Sequence, residues 1–214
     1  MNILVVGANG QIGKHVVSKI QSTNEHTAIA MVRKEEQKAQ FEEQGAKTAL
    51  VDLEGSIGDI ADAAKGADAI VFTAGSGGHT GADKTMMIDL DGAIKTMEAA
   101  KQAGVKRFVT VSAIGVHNRD KWMGSVPYYS AAKHYADVWL RESGLDYTII
   151  RPGGLINDAG TGNIKVAVDL EVGKITREDV ASTILASLEN DHTIGKEFDM
   201  INGETPIKDA LIKL

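Results

Sequence analysis

Short apolar runs alternate with segments of helical period along most of this chain, and that alternation constrains the fold more than any other feature. The runs are Ile3–Val6, Ala28–Val32, Thr48–Val51, Ala69–Thr73, Phe108–Val111 and Tyr147–Ile150. Most are nearly continuous in apolar residues, the pattern of strands covered on both faces. Between and after them, Ile12, Val16, Val17 and Ile20 form one apolar stripe, and Val180, Ile184, Leu185 and Leu188 form another. A long helix is expected over Lys84 to Ala103, and another from near Tyr129 to a C-cap at Gly144. Such alternation requires parallel strands joined by crossover helices. Crossover handedness then favours a doubly wound α/β sheet of Rossmann type with helices on both faces. The 214 residues carry no repeat or linker and suit a single domain, 1–214, with the part after residue 152 supplying substrate-side loops.

Three longer polar stretches leave the carboxyl ends of strands: Ser76–Asp83, Val116–Pro127 and Pro152–Gly162. That edge is where open α/β sheets bind ligands. The net charge of −6 argues against a nucleic-acid partner, which demands a basic face. The absence of cysteine excludes disulfides and thiolate chemistry and fits a cytoplasmic setting. No leader and no membrane-length apolar stretch is visible. The six histidines (His15, His26, His79, His117, His134, His192) show no metal-ligand spacing, so no metal is expected.

The first strand runs into "GANGQIG", with Gly7, Gly10 and Gly13 spaced three apart before an amphipathic helix. Glycine permits the unusual backbone angles and the close approach of main chain to ligand that such a turn needs. The helix start then offers free N–H groups to a phosphate, so a dinucleotide is expected here. The second strand ends in Arg33 and Lys34, where a cofactor with a free ribose 2′-hydroxyl would meet a carboxylate. A cation there suits a 2′-phosphate and therefore NADP. After the third strand, Asp52 can accept from an adenine amino group with Leu53 packing beside it, or can simply shape a turn.

"PYYSAAKHYAD" places Tyr129 and Lys133 four apart, on one face of a helix. A lysine ammonium near a phenol favours phenolate, so the tyrosine is expected to titrate closer to neutrality and to exchange a proton with a substrate carbonyl or hydroxyl.

With "TAGSGG", "MIDLDGAIKTMEAAK", "FVTVSAIG" and "SGLDYTIIRPGGL", these motifs make the chain resemble the short-chain dehydrogenase/reductase superfamily. The last phrase is similar to its atypical branch, which includes biliverdin-IXβ/flavin-reductase-like and NmrA-like proteins. "ITREDVASTILASLEN" and "GKEFDMINGETPI" look like the closing helix and strand of that branch. The resemblance implies a Rossmann fold that binds NADP through Gly7, Asn9, Gly10, Gln11, Ile12, Gly13 and Arg33. It implies that Ala74 and Gly75 line the ribose, and that Pro152 and Gly153 pass the nicotinamide. Tyr129 and Lys133 match the active pair. Asp89 stands where many extended members have Asn. The catalytic Ser or Thr aligns with Ala113, so that Ser112, one residue early, faces the wrong way unless the chain bends.

The resulting expectation is an NADP-dependent oxidoreductase passing hydride between NADPH and a small carbonyl, quinone or flavin-like acceptor. Tyr129, Lys133, Asp89 and Ser112 are its candidate catalytic residues. Trp122, Met123 and Leu155 either wall the substrate or simply pack under long loops. A sugar epimerase or dehydratase, and a non-catalytic NADP-binding sensor or assembly factor, stand as alternatives. The oligomeric state, monomer or homodimer, is left open.

Overall fold

The structure, a computed structural model, describes residues 1–23 and 25–214. The chain begins β1 (Asn2–Val6), α1 (Gln11–Ser22), β2 (Thr27–Val32), α2 (Glu35–Glu43), β3 (Lys47–Leu50), α3 (Ile57–Ala64) and β4 (Ala69–Phe72). A short α4 (Ala82–Lys84) leads through a π-helical turn, Thr85–Asp91, into α5 (Gly92–Ala103). There follow β5 (Arg107–Val111), α6 (Pro127–Arg141), β6 (Asp146–Pro152), β7 (Gly154–Ile156), β8 (Asn163–Ala167) and β9 (Lys174–Thr176). The chain closes with α7 (Arg177–Leu188), β10 (Lys196–Asn202), β11 (Thr205–Pro206) and α8 (Ile207–Ile212).

The main sheet runs β11-β8-β10-β6-β5-β4-β1-β2-β3. From β3 across to β10 every pairing is parallel, and β8 closes the far side antiparallel to both β10 and β11. The order reverses at β1 and β4, the switch point of a doubly wound sheet. Side-chain alternation explains the continuous apolar runs. Ile3, Val5, Val71 and Val109 face a cluster with Val16 and Ile20 of α1 and Ile184 of α7. Leu4, Val6, Ile70 and Phe108 face the opposite cluster, with Ile60 of α3, Met97 of α5 and Leu140 of α6. Each fully buried large aliphatic side chain in these layers contributes about 1.5–3 kcal/mol. Of the second stripe, Val180, Ile184 and Leu188 are buried, whereas Leu185 only packs against the margin of the core.

Three boundaries differ from the sequence reading. The helix expected to start near Tyr129 starts at Pro127, a residue suited to the first helical turn. It ends at Arg141, and Gly144 (φ +77) turns the chain beyond the Glu142 cap. The stretch Pro152–Gly162 is not all loop: Pro152 ends β6, and β7 pairs with β9 as a small parallel ribbon. Among the described residues no helix is long and apolar enough to cross a membrane.

Candidate active site

Because β1 to β6 are parallel, the ends of β1, β2, β4, β5 and β6 open on one edge. Gly7 leaves β1 with φ +82, and a Cβ there would lie 2.5 Å from the Ala74 nitrogen. Only glycine tolerates both conditions. Its carbonyl accepts from the Gly10 amide at 2.9 Å and from Thr73 Oγ1 at 3.3 Å, which holds the turn against the end of β4. A Cβ on Gly13 would overlap the Gly7 carbonyl and the Ala8 backbone, so that glycine is needed for α1 to pack on the turn. At Gly10 a Cβ would meet only the Gly7 carbonyl, at 3.1 Å.

The start of α1 has no side-chain cap and no acidic residue in its first turn. Ser56 caps α3 and Thr176 caps α7, while α2, α6 and α8 share the lack of a side-chain cap, so it is the glycine turn before α1 that sets this helix start apart. The first-turn amides of α1, with Asn9 and Gln11 beside them, are thus left for an anion. This uncapped end, together with the glycine turn, fits a dinucleotide pyrophosphate.

At the end of β2, Arg33 and Lys34 are exposed. The neighbouring carboxylate, Glu54, is held bidentately by Lys84 at 2.7 and 2.8 Å, and the Arg33 charge is felt at Lys84. Asp52 is exposed, and its Oδ1 accepts from the Glu54 amide at 3.0 Å, which is the turn role. Leu53 points into the core, where a Cβ on Gly92 would meet it at 2.8 Å. Its packing is therefore spent chiefly on α5. The loop after β4 is braced by Asp89, a buried residue of the π-helical turn. Asp89 Oδ2 accepts the Ser76 amide at 3.0 Å, and a Cβ on Gly75 would stand 3.2 Å from Oδ1. π-Helical turns inside helices recur at functional positions.

Along α6, Tyr129, Lys133 and Asp137 stand one turn apart on a face turned to the sheet. Lys133 is buried; its Nζ donates to the Val111 carbonyl at 2.8 Å and lies 4.0 Å from Asp89 Oδ1. Burial pushes the Tyr129 phenol above its usual 10.0; Lys133 opposes that shift, and the charges of Asp89 and Asp137 add to it. The expected lowering toward neutrality is therefore overturned here, because desolvation outweighs the single ammonium. Tyr129 carries its proton at neutral pH.

Ser112 Oγ donates to Asp137 Oδ2 at 2.9 Å, and both residues are buried. The Ser112 and Ile114 amides donate to Ile150 and Pro152, so the strand pattern continues straight through Ala113. No bend re-aims the serine, and its hydroxyl is tied to a carboxylate rather than left for a substrate oxygen. At β6, Pro152 and Gly153 are buried; the Gly153 amide donates to Met200, and a Cβ on Gly153 would overlap the Gly173 carbonyl. Trp122 donates from Nε1 to the Val116 carbonyl at 3.0 Å, and its ring meets His134 edge-on at 5.4 Å. That is loop packing. Met123 and Leu155 are exposed.

The sequence reading missed Asp137 and its partner Arg151, which is 1% exposed and donates to Asp137 and Glu197. The repeat of four from Tyr129 through Lys133 to Asp137 was the available signal; nothing local marks Arg151.

Comparison with known proteins agrees with this geometry. Residues 7–191 match the NAD(P)H-binding family. An uncharacterized sugar epimerase of Bacillus subtilis, YhfK, is 56% identical over 214 residues, which is 100% of each chain. A structure from Bacillus halodurans bearing the name NAD-dependent epimerase/dehydratase superposes with TM-score 0.94 at 44% identity, covering 100% of both chains. The oxidoreductase ylbE of Lactococcus lactis superposes with TM-score 0.91 at 38% identity, covering 100% of this chain and 96% of that one. With its uncapped glycine turn at the switch point of a doubly wound sheet, this chain belongs to the NAD(P)H-binding Rossmann family.

Proposed function

We propose that this chain is an NADP-dependent oxidoreductase that reduces a small carbonyl, quinone or flavin-like acceptor. The observation that carries the reading is Tyr129 standing one helical turn from a buried Lys133, at the same sheet edge as the glycine turn. When bound, the dihydronicotinamide supplies the hydride. Gly7, Gly10 and Gly13 let the backbone approach the pyrophosphate, with Asn9, Gln11 and Ile12 at the helix start. Arg33 and Lys34 take the 2′-phosphate, Asp52 accepts from the adenine amino group, and Leu53 packs below it. Ala74 and Gly75, braced by Asp89, line a ribose, and Pro152 and Gly153 pass the nicotinamide.

For a carbonyl acceptor reduced in this way, the phenol of Tyr129 would give its proton to the carbonyl oxygen. Lys133 stabilises the phenolate left behind until solvent returns the proton. Val111 and Asp89 hold the ammonium in place for that role. The small β7–β9 ribbon and short loops beyond β6 favour a compact or planar acceptor over a nucleotide sugar.

The names borne by the Bacillus relatives favour an epimerase as a second reading. The commitment of Ser112 to Asp137 favours a third, an NADP-binding sensor. The deciding experiment follows NADPH consumption over a panel of quinones, flavins and small carbonyls. Oxidation of NADPH by at least one acceptor is expected. Tight NADPH binding with no oxidation, in both the parent and Ala113→Ser, moves the assignment to the sensor. Interconversion of a sugar with no net NADPH change moves it to the epimerase.

A further inference from the structure

His117, Asp169 and Asp199 converge from three distant segments: the loop after β5, the turn after β8 and the middle of β10. One donor atom from each lies within 4.8 Å of the others. Asp199 is completely buried. Its Oδ2 accepts the Leu170 amide at 3.1 Å, but its Oδ1 has no hydrogen-bond partner. His117 Nδ1, likewise buried and without a hydrogen-bond partner, faces that oxygen at 3.8 Å. The other ring nitrogen stands 3.5 Å from Asp169 Oδ1. Arg151, beside Asp199 in the register of β6 and β10, gives Nε and Nη2 to Asp137 and Glu197 instead.

A nitrogen and an oxygen 3.8 Å apart are beyond direct hydrogen-bonding reach. They are also closer than a bridging water keeps its partners, roughly 4.5 Å for two ordinary hydrogen bonds at a tetrahedral angle. Two ligand bonds of about 2.1 Å to one cation span roughly 3.4 Å at that angle, and more as it opens. Leaving a carboxylate oxygen and a ring nitrogen buried and unanswered is costly, and a shared positive centre answers both.

We propose that His117 Nδ1 and Asp199 Oδ1 bind a divalent transition-metal cation, with Asp169, which now faces the opposite ring nitrogen, turning in as the third ligand and zinc the best match to one imidazole and two carboxylates. Magnesium and calcium prefer all-oxygen sets. Asp169 already accepts from Lys121 at 2.7 Å, and a carboxylate has a second oxygen with which to keep that lysine while ligating the metal. The ion clamps the loop that carries Trp122 and Met123 to the sheet beneath it. This site stands independently of the reductase reading, and the histidine count alone gave no sign of it, since its ligands are scattered along the chain.

The test uses the full chain, stripped of metal and titrated with zinc by calorimetry, with thermal unfolding followed in parallel. A single tight zinc and a rise in Tm are expected in the parent. His117→Gln should weaken zinc by more than the roughly 10–100-fold that loss of an outer-shell partner costs, and should abolish the rise in Tm. His26→Gln, in the separate surface cluster with Glu25 and Glu189, should leave both unchanged. Asp199→Asn should behave like His117→Gln. If Asp199→Asn fails to fold, the partly exposed His117 carries the test alone. The proposal is overturned if the parent takes up no stoichiometric zinc, or if His117→Gln binds it as the parent does. A His117-dependent shift of Tm with pH but no metal uptake would also overturn it, leaving a proton in the place of the ion.

Discussion

Ser112 donates its hydroxyl to Asp137 at 2.9 Å, and the same carboxylate oxygen accepts Nε of the buried Arg151 at 3.2 Å. The serine nearest the position of a catalytic hydroxyl is thereby tied into a charged pair between α6 and β6. Ser112→Ala should cost about 1 kcal/mol of stability and change the turnover of a carbonyl acceptor little. Asp137→Ala should cost more, about 3–5 kcal/mol, because Arg151 is left buried with Glu197 alone. Ala113→Ser restores a hydroxyl at the aligned position and should raise carbonyl reduction. Steady-state kinetics and thermal unfolding on the three variants check this; a Ser112→Ala variant that folds normally yet is inactive would restore the serine to the chemistry.

The three glycines of the opening turn should separate into two kinds. A Cβ on Gly10 meets only the Gly7 carbonyl, at a tight 3.1 Å, so the fold should survive Gly10→Val with a small shift while the pyrophosphate is kept away and cofactor affinity is lost. Gly13→Val drives a side chain into the Gly7 carbonyl and the Ala8 backbone, so it should lower Tm as well. Calorimetric NADPH titration beside circular dichroism distinguishes the two. Normal NADPH binding by folded Gly10→Val would show that the phosphates lie elsewhere.

Strands β1 to β6 were legible to within a residue or two; for β1, β2, β4, β5 and β6 burial on both faces writes an apolar run into the sequence, whereas the edge strand β3, with no buried residue, was marked only by its short run between helical segments. The ribbon of β7 and β9 was not, since three-residue strands such as Gly154–Ile156 carry no measurable period. The π-helical turn around Asp89 was also hidden, because one extra residue in a turn leaves the composition of a helix unchanged. The Tyr129–Lys133 spacing was legible, but the direction of the phenol's shift was not. Spacing reports the ammonium, while burial depends on everything packed above the ring. Ser112–Asp137 and His117–Asp199 join residues 25 and 82 apart, which only the fold brings together.

On the proposed reading, Arg33 carries the choice of cofactor. With Glu54 occupied by Lys84, the guanidinium is exposed and available to a 2′-phosphate. NADPH should bind about ten- to a hundredfold more tightly than NADH. Arg33→Asp should abolish or invert that ratio without altering Tm. Equal affinities for the two cofactors in the parent would refute the assignment.

The raised phenol gives a pH dependence of definite sign. A donor held above the usual 10.0 remains protonated from neutral through mildly alkaline solution. The kcat for a carbonyl acceptor should therefore be flat across that range and fall only beyond it. The folded protein holds this proton more tightly than the unfolded chain, so its contribution to stability is intact below pH 10 and is lost as pH rises through the folded value. Tyr129→Phe should remove that alkaline loss. An inflection of kcat near neutrality, absent in Tyr129→Phe, would mean that Lys133 rather than burial governs the phenol in the loaded enzyme.

The class of acceptor is tested by the pair on α6. Tyr129→Phe should leave NADPH affinity nearly unchanged, because the phenol acts on the acceptor and not on the cofactor. Carbonyl reduction should fall by about 10²–10⁴-fold, the ordinary worth of a positioned proton donor. A quinone or flavin-like acceptor should lose far less, since solvent can protonate a reduced planar ring. Lys133→Ala confounds two effects: it deletes the ammonium and empties a buried slot beneath Val111. Lys133→Met keeps much of the apolar stem and removes only the charge. It should reduce kcat for carbonyls and also weaken NADPH, on the proposal that the ammonium reaches the ribose hydroxyls of the cofactor as well as supporting the phenol. If Lys133→Met loses NADPH affinity while Tyr129→Phe retains full activity on every acceptor, the tyrosine is not the proton donor, and the lysine belongs to cofactor binding alone.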